Sequence, residues 1–176
     1  MRPTETAATP AKGRRHRERM RSDPEIEGRS GDSGSPRRAF GAPRDDGSAM
    51  VAIGVGCRAG VDGETIAALA RRALAEADAP EGEVRMFTLA AKAGEPGVVE
   101  AARLLGVALT PLALEALQAE AARIVTPSPA ARARFGAPNI AEAAALAGAG
   151  EGGRLLAPRL AANGATCAVA LSTERR

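Results

Sequence analysis

The chain has 176 residues, a length typical of one domain with a tail. Hydrophobic residues make up 45% of the chain but aromatic residues only 2%, so it lacks the aromatic platforms on which single-stranded nucleic acids stack. The net charge of +3 arises in residues 1–49, which hold 11 basic and 8 acidic residues, whereas residues 50–176 hold 13 of each. We therefore predict that the folded part does not bind nucleic acid.

Two cysteines, Cys57 and Cys167, and a single histidine, His16, limit the chemistry further. The histidine precedes the predicted domain, which therefore lacks an imidazole for nucleophilic catalysis or metal binding. We predict reduced thiols, no metal site and no cofactor. The chain has neither the apolar core of a secretory signal nor a run of about 20 apolar residues, which predicts a cytoplasmic protein that does not bind membranes.

Residues 1–48 are rich in Pro, Gly, Ser, Arg and Asp and contain few large apolar side chains. Such a segment cannot bury enough surface to offset its ordering entropy. We therefore predict a disordered leader over residues 1–49 and one domain over residues 50–176. Because the apolar pattern begins abruptly at Met50, this residue is also a candidate for the true start of the protein.

After the leader, strands and helices are predicted to alternate. The apolar runs Met50–Val55 and Val84–Leu89 predict buried strands, and Val107–Leu109 predicts a short third strand. Helical spacing predicts one helix from Asp62 to Ala77 and another that begins at Pro96 and ends near Leu105.

Three helices and a hairpin are predicted for the second half. The helices run from Pro111 to about Arg123, from Pro129 to Phe135 and from Ile140 to Ala147, and the hairpin pairs Arg154–Leu156 with Thr166–Leu171. Asn163 and Gly164 suit its tight turn. Together the elements predict a single three-layer α/β/α domain whose first strands are parallel and whose C-terminal hairpin makes the sheet mixed.

Gly54, Gly56 and Gly60 lie where the first predicted strand meets the first helix, together with Cys57 and Arg58. Backbone N–H groups in such a loop can bind an anion, and Arg58 adds a donor fork for a carboxylate. The alternative is a tight turn that needs glycine. The spacing departs from the dinucleotide fingerprint and the P-loop lysine is absent, which argues against a nucleotide site.

Lys92 and Glu95 follow the second strand, and in a parallel sheet they reach the same edge as Arg58. Arg159 precedes the hairpin turn and joins them if its strand runs the same way. We expect Arg58, Lys92 and Arg159 to form one exposed cationic rim that binds carboxylates. The alternative for each is an ordinary solvated side chain, with Glu95 complementing a helix N-terminus.

Ser128 and Asn139 are predicted helix caps, and Glu142 is the third residue of a predicted capping box. All three have a ligand-binding alternative, because helix N-termini also bind carboxylates. The candidates for a catalytic role are Lys92, Glu95 and Glu142.

Five motifs occur in the order and spacing of a known family. They are GVGCRAG at 54–60, KAGEPG at 92–97, TPSP at 126–129, GAPNIAEAAAL at 136–146, and LLAPRL with NGATCAVA between 155 and 170. Together they resemble the CobE/CbiG C-terminal domain family of cobalamin biosynthesis over about Met50–Leu171. The chain departs from the family pattern at Arg159, where a lysine is expected, and near Ala93, where an acidic residue is expected.

The resemblance implies that the chain takes part in corrin-ring assembly. CbiG proteins open the lactone of a cobalt-precorrin and carry further domains upstream, for which 49 residues are too few, so the chain is most similar to free-standing members linked to the aerobic pathway. We expect it to bind a polycarboxylate precorrin or a hydrogenobyrinic acid-like intermediate, with other cobalamin-pathway enzymes as further candidate partners. The candidate ligand-binding residues are Gly54, Gly56, Cys57, Arg58, Gly60, Lys92, Glu95, Ser128, Asn139, Arg159 and Thr166.

Two alternatives to pure binding remain open. The first is a hydrolase or C–C lyase that acts on a ring-contracted precorrin, with Glu95 or Glu142 as general base and Lys92 or Arg58 as electrostatic stabiliser. The second is a scaffold for the enzymes of the pathway.

The leader prediction has a direct test. A chain of residues 50–176 should unfold with the same free energy as the full chain, to within about 1 kcal/mol, because a disordered leader buries no surface. Chemical denaturation of both chains measures the difference. A larger loss would mean that residues 1–49 pack against the domain.

Overall fold

The computed structural model describes residues 49–173, which form five strands and five α-helices. In chain order these are β1 Val51–Cys57, α1 Gly63–Glu76, β2 Val84–Leu89, α2 Pro96–Leu105, β3 Ala108–Leu112, α3 Leu114–Ala119, α4 Pro129–Phe135, α5 Ile140–Ala149, β4 Arg154–Ala162 and β5 Ala165–Leu171, with 3-10 turns at Ala90–Lys92 and Glu120–Arg123. The predicted leader lies outside the described residues, and the domain boundary stays a prediction.

The five strands form one mixed sheet in the order β3-β2-β1-β5-β4. Strand β1 pairs with β2, and β2 with β3, in parallel, whereas β5 is antiparallel to both β1 and β4. Strand β4 therefore runs in the direction of β1. The predicted parallel first strands and the C-terminal hairpin are both confirmed.

Helices cover both faces of the sheet, because side chains alternate along each strand. Val51, Ile53 and Val55 of β1 point to one face and pack in a core with α1 and α2. Ala52 points to the other face and packs against α5. The three-layer α/β/α architecture is thus confirmed.

Helix α5 lies unusually close to the sheet because small residues line both sides of the contact. A Cβ at Gly54 would lie 1.9 Å from the carbonyl oxygen of Ala141, and one at Gly148 would lie 2.4 Å from the ring of Phe87. The buried face of α5 is mostly alanine. The low aromatic content thus matches a core in which helix backbone, rather than large side chains, fills the space above β1.

Strand β1 is longer than predicted, and this corrects the interpretation of the glycine loop. The strand continues to Cys57, so Gly54 and Gly56 lie within it and only Gly60 lies in the following loop. The sequence pattern misled because glycine is usual in turns. Here glycine is needed for the close approach of α5.

Two other strands were also predicted too short, and both contain a proline. Strand β3 continues through Pro111 to Leu112, so α3 begins only at Leu114, and β4 continues through Pro158 to Ala162. Both are edge strands, where half of the backbone groups face away from the sheet and proline is tolerated. The register of β4 shifts between Ala157 and Leu160, next to its proline.

Across residues 49–173, no helix has the length and apolar character needed to cross a membrane.

The packing at Gly54 predicts a large effect for one methyl group. Gly54→Ala should destabilise the protein by about 3 kcal/mol, because the new Cβ meets backbone of α5 that cannot rotate away. Gly94→Ala is the matched control, since a Cβ there meets nothing within 4 Å, and it should change the free energy of unfolding by less than about 0.5 kcal/mol. Equal effects of the two substitutions in urea denaturation would contradict this account.

Candidate functional site

The candidate residues lie at the edge of the sheet where β1, β2 and β4 end. The last two residues of β1 point to opposite faces there: a Cβ at Gly56 would lie 3.4 Å from the side chain of Ile140 of α5, whereas Cys57 packs against the core with α1 and α2. The candidates therefore form two groups, one on each side of the sheet edge. We call them the Lys92 group (Cys57, Gly60, Lys92 and Glu95) and the Glu142 group (Ser128, Asn139, Glu142 and Arg159).

The Lys92 group is held together by an internal ion pair. Lys92 Nζ lies 2.9 Å from Glu95 Oε1, and Lys92 is only 8% exposed. The hydrogen bond from Lys92 holds the pKa of Glu95 below its usual range, and the backbone N–H of Gly60 contributes to the same shift. Lys92 is thus not the exposed rim residue that we expected. It is buried, and its ammonium group is already paired with the carboxylate of Glu95.

Cys57 lies near this ion pair but is not activated by it. Burial raises the pKa of Cys57, an effect that the positive charge of Lys92 only partly offsets. Burial raises the pKa of Cys167 to about 12. Both cysteines are therefore neutral thiols at pH 7, which argues against a nucleophilic role.

The Glu142 group is built around a carboxylate with no solvent exposure. Glu142 Oε2 accepts hydrogen bonds from the backbone N–H groups of Val125, at 2.8 Å, and Thr126, at 3.0 Å. Glu142 Oε1 accepts a hydrogen bond of 2.9 Å from the backbone N–H of Arg159. One side chain of α5 thus joins the loop before α4 to the irregular part of β4.

These contacts also settle the ionisation of Glu142. Burial by itself raises the pKa of Glu142, but the hydrogen bonds from Thr126, Arg159 and Val125 outweigh it and lower the pKa below its usual range. A buried carboxylate with its oxygens already bound is a poor general base. The capping-box prediction is wrong for this side chain, which reaches other segments instead of the N-terminus of its own helix.

The two predicted caps are confirmed. Asn139 Oδ1 accepts a hydrogen bond of 3.2 Å from the N–H of Glu142, and Ser128 Oγ accepts one of 3.3 Å from the N–H of Ala131. Asn139 also donates from Nδ2 to the carbonyl oxygen of Thr126, at 2.7 Å. Both side chains are therefore engaged within the protein.

Three further candidates have internal contacts. Gly54 is covered by α5, and the carbonyl oxygen of Gly56 accepts a hydrogen bond of 3.0 Å from Thr166 Oγ1. Gly54, Gly56 and Thr166 therefore have a structural role at this part of the sheet, and the hydroxyl group of Thr166 is already bonded within the protein.

Arg58 and Arg159 differ from the rest because their guanidinium groups are unpaired within residues 49–173. The backbone N–H of Arg58 binds the carbonyl oxygen of Gly164 in the hairpin turn, at 2.9 Å, and its side chain is exposed. Arg159 is half-buried, and its Nε is buried without a hydrogen-bond partner in the described part of the chain. Arg58 follows the last residue of β1, whereas Arg159 lies on the edge strand β4, three residues before that strand ends at the same side of the sheet.

Sequence reasoning missed Val125 and Thr126, whose backbone N–H groups anchor the Glu142 group. A backbone donor leaves no side-chain signature, and the breaker pattern at 126–129 indicated only a turn. Among the residues described, no three His, Cys, Asp or Glu side chains are grouped as a metal site.

The geometry can be compared with known proteins. The family model described as cobalamin synthesis G C-terminus matches residues 51–170, nearly the whole described region. The chain belongs to this family. Protein CobE of Sinorhizobium sp is 35% identical to it over 136 residues, which cover 77% of this chain and 88% of that protein.

Solved structures agree with this assignment. The crystal structure of CobE, a protein from the cobalamin (vitamin B12) biosynthetic pathway, matches with a TM-score of 0.65 and 32% identity, over 73% of this chain and 94% of that one. The cobalamin biosynthesis protein chiG from Agrobacterium tumefaciens str. C58 matches with a TM-score of 0.54 and 36% identity, over 70% and 99% of the two chains. This chain is a cobalamin biosynthesis protein of the CobE type.

The Glu142 contacts predict a pH-dependent stability. Because the folded-state pKa of Glu142 is lowered, its contribution is fully present above the unfolded value, about pH 4.3, and is lost as the pH falls through the folded-state pKa. Glu142→Gln should cost about 1.5–3 kcal/mol at pH 7, since an amide cannot accept all three N–H groups.

Denaturation of both proteins at pH 7 and pH 3.5 separates this effect from other acid effects. The difference between wild type and Glu142→Gln should shrink at the lower pH, whereas the exposed carboxylate variant Glu115→Gln should match wild type at both. A difference that does not depend on pH would show that the charge of Glu142 is not what stabilises the loop.

Proposed function

We propose that this protein binds a polycarboxylate tetrapyrrole, a precorrin or a hydrogenobyrinic acid-like intermediate, at the edge where β1 and β4 end. The observation that carries the proposal is the pair of unpaired guanidinium groups, Arg58 and Arg159, at that edge. Arginine binds carboxylates through a planar fork of donors. A ring that bears several acetate and propionate arms supplies the acceptors that both side chains lack within the described residues.

Several other basic side chains of the described region are already paired with a carboxylate. Five basic side chains form ion pairs with a nearby Glu: Arg72, Arg85, Lys92, Arg103 and Arg123. An anionic ligand would have to displace a carboxylate at each of these. Arg58 and Arg159 offer positive charge without that competition. The exposed arginines Arg132 and Arg154 also lack an ion pair, but only Arg159 has a buried Nε without a partner among the described residues.

Lys92 supports this site indirectly. Its ion pair holds Glu95, and the backbone N–H of Gly60 helps to lower the pKa of that carboxyl group. Gly60 belongs to the loop that carries Arg58, so the Lys92 group lies next to the proposed ligand-binding loop.

The enzymatic alternative receives little support from the ionisable groups. Glu95 is held in an ion pair that lowers its pKa, Glu142 has no solvent exposure, and Cys57 is a neutral thiol. None is poised to take a proton at pH 7. The scaffold alternative, the candidate enzyme partners and the cytoplasmic location stay predictions.

A titration with hydrogenobyrinic acid tests the proposal. Adding the protein should shift the visible absorption of the ring, and the dissociation constant should rise as salt increases from 50 to 500 mM, because screening weakens exposed charge pairs. Arg58→Ala should raise the dissociation constant about threefold to tenfold.

Arg103→Ala is the matched control, because Arg103 is exposed and is paired with Glu100 on α2, near the end of that helix that leads into β3. It should leave the dissociation constant unchanged. Failure of the wild-type protein to shift the spectrum, or equal binding by Arg58→Ala, would refute the proposed site.

A further inference from the structure

Val125 and Arg159 are brought together by a single carboxylate. The N–H of Val125 binds one oxygen of Glu142 at 2.8 Å, and the N–H of Arg159 binds the other at 2.9 Å. The two residues belong to segments that are distant in sequence and share no secondary-structure element. Glu142 therefore fixes their backbones as close neighbours.

Each of these two side chains lacks a contact that its chemistry favours. Val125 is 68% exposed, and in the described part of the chain only Val99 is another large apolar side chain with most of its surface in solvent. Arg159 has a buried Nε without an acceptor, and a buried donor that is left unpaired is unfavourable. An isolated exposed valine is ordinary, but Glu142 holds the backbone of Val125 close to that of Arg159, so an apolar side chain and a cationic side chain begin at neighbouring points.

We infer that Arg159 and Val125 form one amphipathic subsite of the proposed binding edge. The guanidinium of Arg159 binds one carboxylate of the ligand, and the side chain of Val125 packs against the apolar ring to which that carboxylate is attached. The inference rests on the proposed function and deepens it: the subsite selects an apolar ring with short carboxylate arms over a small free carboxylate, because only the former contacts both halves.

The surrounding contacts make this subsite rigid before the ligand arrives. Asn139 holds the carbonyl oxygen of Thr126 at 2.7 Å, and the N–H of Ser128 binds the carbonyl oxygen of Pro138 at 2.6 Å. The loop that carries Val125 is thus fixed to the start of α5 at several points. A preformed site loses less conformational entropy on binding.

The unpaired Nε gives the subsite a signature that a structural arginine lacks. In the free protein the guanidinium makes no hydrogen bond to the described residues, and the backbone N–H that binds Glu142 remains in an alanine variant. Arg159→Ala should therefore leave the melting temperature of the free protein unchanged or raise it, while weakening binding. If the side chain stabilised the fold, its removal would lower the melting temperature of the free protein.

The experiment is a titration of hydrogenobyrinic acid into the full chain and its variants. Arg159→Ala should raise the dissociation constant about 10- to 150-fold, the range expected for a lost charged hydrogen bond, and Arg159→Lys should regain part of the loss. Val125→Ala should raise it about threefold to tenfold through lost apolar contact.

Matched controls are present in the same chain. Arg154→Ala removes an exposed arginine from the opposite end of β4, and Val99→Ala removes the other exposed valine, on α2. Both should stay within about twofold of wild type. A third arm replaces the ligand with acetate, which should compete only at concentrations far above those of the ring compound.

The outcomes separate the subsite from the proposed function. If wild type binds and Arg58→Ala weakens binding while Arg159→Ala and Val125→Ala do not, the subsite is refuted and the proposed function stands. If wild type does not bind the ring compound, both are refuted. If Arg159→Ala lowers the melting temperature of the free protein and Arg159→Lys does not regain binding, Arg159 serves the fold and the subsite is overturned.

Discussion

The carboxylate of Glu142 accepts hydrogen bonds from three backbone N–H groups, and these groups belong to two segments that no strand or helix would otherwise align. Val125 and Thr126 precede α4, whereas Arg159 lies where the register of β4 shifts. Without this acceptor three partly buried N–H donors would lose their partner, and an unpaired buried donor is unfavourable. The geometry of the proposed binding edge therefore depends on one buried charge that takes no part in binding itself.

That charge can occupy its position only because α5 lies so close to the sheet. Gly54 removes the side chain that would separate them, and the alanines of α5 present a nearly flat surface to β1 and β5. The first turn of the helix is thereby brought to the edge where the strands end. The same scarcity of aromatic residues that leaves no stacking platform thus also allows α5 to lie close to the sheet, where Glu142 can join the loop before α4 to β4.

The Lys92 group and the Glu142 group differ in which of their charged side chains are paired within the protein. On one side Lys92 forms an ion pair with Glu95, next to the loop that carries Arg58. On the other side Glu142 is consumed by backbone donors, which leaves the Arg159 guanidinium without a carboxylate among the described residues. At this edge both acids are satisfied internally and both arginines are not, a pattern that fits a protein whose ligand supplies the missing carboxylates. The family assignment places the protein in cobalamin biosynthesis.

The sequence by itself determined the architecture. Its signals are local, because each depends on neighbouring residues: the alternation of buried strands and amphipathic helices, the caps at Ser128 and Asn139, and the Asn163–Gly164 turn. Its motifs also determined the family. Tertiary structure decided which charges are free: it buried Lys92 against Glu95, gave Glu142 three distant donors and left Arg159 unpaired. Burial and pairing depend on segments that meet only after the sheet is assembled, and backbone N–H groups carry no side-chain identity that a sequence could reveal.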